Sequence, residues 1–353
     1  WFRNTWSWGR TGEGYWPKPR MSRCGNGVRA EHAALGTFEL RGEPDALLQP
    51  VLLFTENETN AQRLFNAPNA TPYVKDAIHD AVVNGRSDAV NPAFTGTKAA
   101  LHYTLDVPAR GTSVLRLRLA DPTTPPGPPA DSFGPAFEEL LQQRRADADA
   151  FYDATIPAHV TGDARHVIRQ AAAGLLWTKQ FYHYVVKDWL EGDPEQPAPP
   201  AGHDSVRNHD WSHLYNRDVI SVPDKWEYPW YAAWDLAFHM IPFCRLDPDF
   251  AKEQLLLFLR DWYMHPSGQI AAYEWQLSDV NPPVHAWAAW RVYKMTGEPG
   301  HRDHQFLARV FQKLLLNFTW WVNRKDVDGR HLFSGGLLGL DNIGILNRSD
   351  LPS

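Results

Sequence analysis

A run of prolines divides this sequence into two parts with different hydrophobic patterns. Five of the nine residues from Asp121 to Pro129 are proline, a composition that favours an extended linker. Before the linker, short alternating runs between turn residues predict β-strands. After it, apolar residues spaced every three or four positions predict α-helices. The chain is therefore expected to be an α+β multidomain protein.

The first part, residues 1–121, is expected to be a partial β-sandwich domain. Arginine alternates with leucine from Leu115 to Leu119, which is the two-residue period of a strand. Val74 to Val83 predicts a short amphipathic helix that ends at Asn84-Gly85. The runs expected to form strands are Val28 to Leu40, Leu47 to Thr55, Leu101 to Val107 and Val114 to Leu119.

The second part is expected to be helical. Residues 122–155 are assigned to the proline-rich linker and a charged connecting helix that begins at Pro135, and residues 156–353 to a separate helical domain. Its expected helices run from Asp163 to about Asp188, from Asp247 to Trp262, from Pro282 to Gly297 and from His301 to Asn323. Glu191 to Pro223 is long for a connection and predicts a functional loop.

Helix pairs joined by short turns and long aromatic loops are typical of an (α/α) barrel. The sequence predicts about five such helices, roughly half of an (α/α)6 barrel, with the loops before the inner helices at one pocket. The chain opens on Trp1-Phe2-Arg3-Asn4, a strand-like pattern, and closes on a loop-like tail from Leu340 to Ser353. Both ends predict an internal fragment with a truncated barrel.

The composition argues against several classes of function. The net charge is −6 and the pI is near 6.2, without basic runs, so no nucleic-acid partner is expected. Apolar runs such as Leu255 to Leu259 are too short to span a bilayer, so no membrane partner is expected. Cys24 and Cys244 fall in different predicted domains, which favours free thiols and a cytoplasmic location.

No cofactor or metal is expected either. Asp326-Val327-Asp328-Gly329 begins like a calcium loop but lacks the closing glutamate, and the sequence has neither a Gly-x-Ser-x-Gly nor a phosphate-binding glycine loop. Hydrolysis would therefore have to use carboxylates. A histidine- and aspartate-rich cluster lacks the spacing of structural zinc sites; its members are His203, Asp204, His209, Asp210 and His213.

The segment from Trp226 to His239 carries the strongest functional signal. It contains three tryptophans, two tyrosines and two carboxylates. Flat rings interleaved with acids suit the apolar faces and hydroxyls of a sugar better than they suit a core or a solvated helix face. Pro229 divides the segment into an aromatic loop and a helix whose first turn carries Asp235.

Asp235 is the leading candidate for a general acid. It stands beside Trp234 and close to Phe238, and a carboxyl group held among large rings is poorly solvated. Its protonated form is then favoured, as a general acid near neutral pH requires. The alternative is a first-turn carboxylate that stabilises the helix N-terminus.

The same segment resembles the general-acid region of glycoside hydrolase family 63, which includes processing α-glucosidases and mannosylglycerate hydrolase-like enzymes. Trp234-Asp235-Leu236-Ala237-Phe238-His239 carries this similarity, together with the preceding residues Lys225 to Trp230. Further matching motifs are Asn4 to Gly9, Asn281-Pro282-Pro283 and Gly335 to Gly344. The resemblance implies a β-sandwich, a linker helix and an (α/α) barrel with its pocket at the mouth.

Several further residues are candidates for substrate binding, each with a structural alternative. Glu227 could pair with Lys225, Asp279 could cap a helix, and Asp341-Asn342 could form an Asx turn. The tryptophans could belong to a core, and His285 is expected to be a hydrogen-bonded buried histidine. The candidates are Trp226, Glu227, Tyr228, Trp230, Trp234, Phe238, His239, Tyr273, Glu274, Trp275, Asp279, Asn281, Asp341 and Asn342.

The predicted function is an inverting glycoside hydrolase acting on small α-linked glucosides or mannosides. A second carboxylate, roughly 6.5–9.5 Å from the acid, must activate water. In family 63 it is a late glutamate that no residue here matches, so the base stays unassigned and the chain is expected to be inactive alone. The alternatives are a carbohydrate-binding surface without turnover and a scaffold. The sequence indicates no oligomeric state.

Two geometric expectations follow. Asp235 should lie at the mouth of a pocket lined by Trp226, Trp230, Trp234 and Tyr273, because these residues occupy loops before inner helices. Trp6 and Trp8 should lie on the sandwich near the barrel mouth.

Overall fold

A computed structural model describes most of the chain, in two compact units. One comprises residues 1–148 with 192–199, and the other residues 149–191 with 200–353. They are called the N-terminal and the C-terminal unit below. The domain limits expected at residues 121 and 155 stay predictions. The described residues are 2–3, 18–33, 35–43, 48–123, 133–192, 198–205, 209, 211–226, 228–273, 277, 280–326 and 328–333.

The N-terminal unit contains two antiparallel sheets. Its strands are β1 (Phe2–Arg3), β2 (Arg20–Cys24), β3 (Gly27–His32), β4 (Gly36–Gly42), β5 (Val51–Thr55), β6 (Thr95–Gly96), β7 (Lys98–His102) and β8 (Leu117–Ala120). One sheet has the order β1-β7-β5 and the other β6-β2-β3-β4-β8. Met21 and Val28 from the second sheet share a buried cluster with Leu52, Phe54 and Ala99. The two sheets therefore form one core, as the sandwich pattern predicts.

Strand pairing corrects three sequence-based boundaries. Val28 to Leu40 is two strands, because the chain reverses before Gly36, whose φ of 80° is accessible to glycine at little cost. β7 ends at His102, where its partner β5 begins at Val51. β8 begins at Leu117, opposite the last residue of β4. A strand continues only where a neighbour accepts its hydrogen bonds.

The helices largely follow their local end signals. They are α1 (Ala61–Phe65), α2 (Ala77–Val83), α3 (Pro135–Thr155), α4 (Gly162–Leu176), α5 (Val186–Glu191), α6 (Ala233–Phe243), α7 (Pro248–Leu257), α8 (Val284–Met295) and α9 (His304–Arg324). Asp247 caps α7 by accepting from the Phe250 amide at 3.0 Å, and α8 begins directly after Pro283. These boundaries confirm the cap and proline predictions.

One predicted helix is wrong in its second half. α4 ends at Leu176, and Lys179–Val185 forms strand β9, which pairs antiparallel with β10 (Tyr215–Ser221). β10 lies within the segment expected to be a loop between Glu191 and Pro223. Tyr182 and Val186 fit a helical spacing, but the run from Phe181 to Val185 is aromatic and β-branched, which favours a strand once a partner is present.

The core of the C-terminal unit surrounds α6. Leu236, Ala237, Met240 and Phe243 are fully buried and pack in one cluster with residues of α7, α8 and α9. α9 was expected to be well buried over a wide arc. Phe306 and Val310 are buried, whereas Phe311 and Phe318 are 64% and 59% exposed, so only one side of α9 is covered within the described part of the chain.

A glycine fixes the loop before α8 against α9. Gly268 has φ +94°, and a Cβ atom there would lie 2.4 Å from the Leu316 carbonyl oxygen. The Asn317 side chain donates to the Gly268 carbonyl oxygen at 2.8 Å. The contact therefore requires both the positive φ and the missing side chain.

We expect Gly268→Ala to destabilise the C-terminal unit by about 2–4 kcal/mol, because it combines left-handed backbone strain with a backbone clash. Gly300→Ala is the matched control, since Gly300 has φ +90° and nothing within 4 Å of its ideal Cβ; its cost should be only about 1 kcal/mol. Denaturation followed by tryptophan fluorescence measures both. Equal losses of stability in the two variants would contradict the close approach of Gly268 to the Leu316 backbone.

Candidate functional site

The N-terminus of α6 is held against the chain that follows Gly268. The Ala233 amide donates to the Ala272 carbonyl oxygen at 3.1 Å, and Ala232 forms an isolated β-bridge with Tyr273. The helix has no side-chain cap at Ala232, so this neighbouring backbone satisfies one of its free amide groups. The two candidate segments are thereby brought together.

Asp235 lies in the first turn of α6 and is half-buried. The rings of Trp234 and Phe238, on either side of it in sequence, are 5.9 Å apart between centroids, and Phe238 also contacts Trp287 at 5.8 Å. The carboxyl group is therefore on a buried helix, at the end where the helix dipole interacts most strongly with charge.

The aromatic loop before α6 folds back on itself. Asp224 and Tyr228 form an antiparallel bridge, and the Trp226 amide donates to the Asp224 carboxylate at 2.6 Å. Tyr228 packs edge-on against Trp230 with centroids 5.1 Å apart. Trp226 is 92% exposed, so its ring projects into solvent instead of lying in a core.

His239, one turn after Asp235, belongs to a hydrogen-bonded chain that reaches β10. Thr178 Oγ1 donates to the Leu175 carbonyl oxygen at 2.6 Å and lies 2.8 Å from Ser221 Oγ, which lies 2.8 Å from His239 Nδ1. Because the Thr178 proton is already used, Ser221 donates to Thr178 and accepts from His239. Burial lowers the pKa of His239, which favours the neutral ring with its proton on Nδ1.

A narrow cleft lies between the start of α6, the start of α8 and the last turns of α9. Its cavity volume is about 30 Å³, enough for a single small polar group but not for a sugar ring. The described residues that line it carry no charged side chain; they are Ala233, Trp234, Ile270, Val280, Asn281, Pro282, Pro283, His285, Asn317, Trp320 and Trp321.

Two buried polar side chains of this cleft each have an unsatisfied atom. Asn281 and His285 are 9% and 6% exposed, and neither Asn281 Oδ1 nor His285 Nδ1 has a hydrogen-bond partner. His285 Nε2 lies 2.8 Å from the Leu255 carbonyl oxygen. Burial lowers the pKa of His285 to about 4, so its ring is neutral at pH 7.

The cleft includes some of the predicted site residues and adds others. Trp234 and Asn281 line it, whereas Trp226, Trp230, Tyr273 and Asp235 are not among its lining residues. The expectation of one pocket around all four rings and Asp235 stays a prediction. Six candidates lie outside the described residues: Glu227, Glu274, Trp275, Asp279, Asp341 and Asn342. Trp6 and Trp8 also lie outside them.

Sequence reasoning gave no binding role to six of the lining residues, which are Ile270, Val280, His285, Asn317, Trp320 and Trp321. His285 was expected to be fully hydrogen-bonded, but the structure satisfies only one of its ring nitrogens. Asn317 was part of a predicted helix without a role. Trp320 and Trp321, adjacent and both at least nine-tenths buried, resemble the aromatic pairs elsewhere in the sequence, and that signal could have identified them.

Among the residues that the structure describes, no group of three or more histidines, cysteines or acids is arranged to hold a metal ion. In the same part of the chain, none of the helices has the length and apolar character needed to cross a bilayer. Cys24 and Cys244 are both free thiols.

Comparison with known proteins finds a family match in the same part of the chain. Residues 228–336 match the family described as the Mannosylglycerate hydrolase MGH1-like glycoside hydrolase domain. This segment is glycoside hydrolase-like. It contains α6, α8 and every residue that lines the cleft.

A longer relative matches the whole chain. The chain is 43% identical over 387 aligned positions to Uncharacterized protein YMR196W of Saccharomyces cerevisiae, and the alignment covers 100% of this chain and 35% of that protein. The chain thus spans about a third of the length of this curated relative.

The lowered pKa of His285 makes the protein less stable in acid. The unfolded histidine binds a proton below pH 6.5, whereas the folded ring stays neutral down to about pH 4. The neutral His285 therefore makes its full contribution to the free energy of unfolding above pH 6.5. This contribution falls by up to about 3 kcal/mol as the pH drops from 6.5 towards 4.

We expect His285→Gln to flatten this part of the stability profile, measured by urea unfolding between pH 4 and 7. Glutamine keeps a donor for the Leu255 carbonyl oxygen but does not titrate. His301→Gln, the same substitution at an exposed position, is the control. An unchanged slope in His285→Gln would show that His285 is protonated in the folded protein.

Proposed function

We propose that this chain carries the general acid of an inverting glycoside hydrolase of the family 63 type, and that Asp235 is that acid. The observation that supports it best is the position of Asp235. It lies in the first turn of a buried helix, between Trp234 and Phe238, inside the segment that matches a glycoside hydrolase domain. The proposed substrates are small α-linked glucosides or mannosides.

The chemistry follows from the position of one carboxyl group. The glycosidic C–O bond breaks with its electron pair on the leaving oxygen, which takes the proton of Asp235. Water attacks the anomeric carbon from the opposite face, and its proton passes to a base roughly 6.5–9.5 Å from the acid. The base is unassigned. Glu274 becomes the candidate if its carboxylate lies across the pocket at that distance.

The proposed architecture is part of an (α/α)6 barrel. α6, α7, α8 and α9 share one core cluster, and α9 presents Phe311 and Phe318 on its opposite side. An apolar side of this kind fits further helices packing there, as they would in a closed barrel. The proposed ligand is a carbohydrate, with no nucleic-acid or membrane partner.

An external nucleophile can test for an acid without its base. We expect residues 1–353 not to hydrolyse methyl α-glucoside or methyl α-mannoside in buffer, because no residue of this chain is assigned as the base that activates the water. Azide needs no base, so its addition should release the β-glycosyl azide with inversion. The product is identified by NMR.

Asp235→Asn should lower the azide-dependent rate by at least about 100-fold, the contribution of a general acid. Asp249→Asn is the matched control, because Asp249 occupies the first turn of α7 and is exposed. It should react like the unchanged protein. Hydrolysis without azide would place a working base within residues 1–353.

A second function is supported by the exposure of Trp226. A ring that is 92% exposed beside the Tyr228–Trp230 pair could stack on a sugar without catalysis. The chain would then bind carbohydrate, and Asp235 would only contact hydroxyls.

Trp226→Ala should weaken binding of a maltose or mannobiose probe by roughly 10-fold if this stacking contributes about 1.4 kcal/mol. The control is Trp262→Ala. This substitution removes a ring that is 43% exposed and is not among the candidate binding residues. Calorimetric titration measures both. Binding that resists Trp226→Ala argues against a stacking surface at this loop.

A further inference from the structure

We propose that the cleft is a hydroxyl-binding site in which Asn281 Oδ1 and His285 Nδ1 are the acceptors for the one proton of a carbohydrate hydroxyl group or for the two protons of an enclosed water molecule. These two atoms are called the acceptor pair. The binding of a carbohydrate hydroxyl at this site rests on the proposed function, whereas the binding of a water molecule does not.

The contact to Leu255 fixes the histidine tautomer. A carbonyl oxygen can only accept, so His285 Nε2, 2.8 Å from the Leu255 oxygen, must carry the proton. The ring is neutral because it is buried. Nδ1 therefore has a lone pair and no proton, which makes it an acceptor without a donor.

The orientation of the asparagine amide is fixed in a similar way. Asn281 Nδ2 lies 3.5 Å from the Ala272 carbonyl oxygen and donates to it. The reversed amide would place two oxygens against each other, so Oδ1 occupies the other position, where it has no partner. The described part of the site thus contains two buried acceptors that no donor satisfies.

Such an arrangement is unfavourable unless something fills it. A buried polar atom without a hydrogen bond costs about 1–3 kcal/mol, and two acceptors cannot satisfy each other. Both residues line one cavity of about 30 Å³, which has room for one hydroxyl group or one water molecule. The occupant must therefore supply at least one hydrogen-bond donor and be small at this point.

The lining selects a neutral donor. None of the lining residues that the structure describes is charged, so among them a buried ammonium group would find no counter-charge and would be costly. A hydroxyl carries no such cost. Trp234, Trp320 and Trp321 supply apolar walls, and the sugar ring itself would remain outside the cleft because a cavity of about 30 Å³ cannot hold it.

Two histidine variants separate recognition from folding. His285→Gln keeps a donor for the Leu255 carbonyl oxygen and removes the Nδ1 acceptor. His285→Asn places an amide oxygen near the Nδ1 position and loses the Leu255 contact. We expect His285→Gln to fold normally and lose recognition, and His285→Asn to be less stable but to keep recognition. If His285 were only structural, His285→Gln would keep recognition, and His285→Asn, which loses the Leu255 contact, would lose it.

Carbohydrate binding is measured on residues 1–353 by tryptophan fluorescence, with methyl α-glucoside, methyl α-mannoside and their monodeoxy derivatives. In the unchanged protein and in His285→Asn, loss of one particular hydroxyl should weaken binding by about 10-fold, the value of one hydrogen bond. In His285→Gln and Asn281→Leu the parent sugar should bind about 10-fold more weakly, and the same deoxy sugar should bind no worse than its parent.

Binding of water is measured in sugar-free protein by ¹⁵N NMR of the histidine ring nitrogens. The His285 signals are identified as those that are absent in His285→Gln. A hydrogen-bonded, unprotonated Nδ1 supports the proposal even if no sugar binds, an outcome that would weaken only the proposed function. A bare Nδ1 with and without sugar overturns the proposal. The proposal is also overturned if sugar binds and removal of the hydroxyl weakens binding equally in all variants. That result would leave the proposed function standing.

Discussion

The buried side of α6 is the constraint on which the C-terminal unit depends. Leu236, Met240 and Phe243 are completely enclosed, and burying each such side chain contributes about 1.5–3 kcal/mol. Because these contacts run along the whole helix, α6 cannot shift without disrupting its core. Its first turn, which carries Trp234 and Asp235, is therefore a rigid position, as a site that must hold a reacting group requires.

Local chemistry made the helix boundaries predictable, and long-range pairing did not. Asp247 and Pro283 determine helix starts through the few residues beside them, so the sequence predicts those starts correctly. β9 was predicted as a helix, because Tyr182 and Val186 satisfy a helical spacing. Its strand state depends on β10, about thirty residues away in the chain, and no local pattern encodes such a partner.

The candidate site shows the same division. Trp234 and Asn281, which line the cleft, could be selected from the sequence because each belongs to a short motif rich in aromatic rings or prolines. The unsatisfied state of His285 was not, because it depends on the Leu255 carbonyl oxygen of a different helix. A sequence can indicate that a histidine is buried, but the partner that decides its tautomer is a property of the packed structure.

The contact between Gly268 and α9 has a mechanical consequence. Ile270, two residues after this glycine, and Asn317 of α9 both line the cleft, and the backbone of their two segments is in direct contact at Gly268. The two walls therefore move as one piece. A partner or further segment that packs on Phe311 and Phe318, on the far side of α9, would therefore act on both walls together.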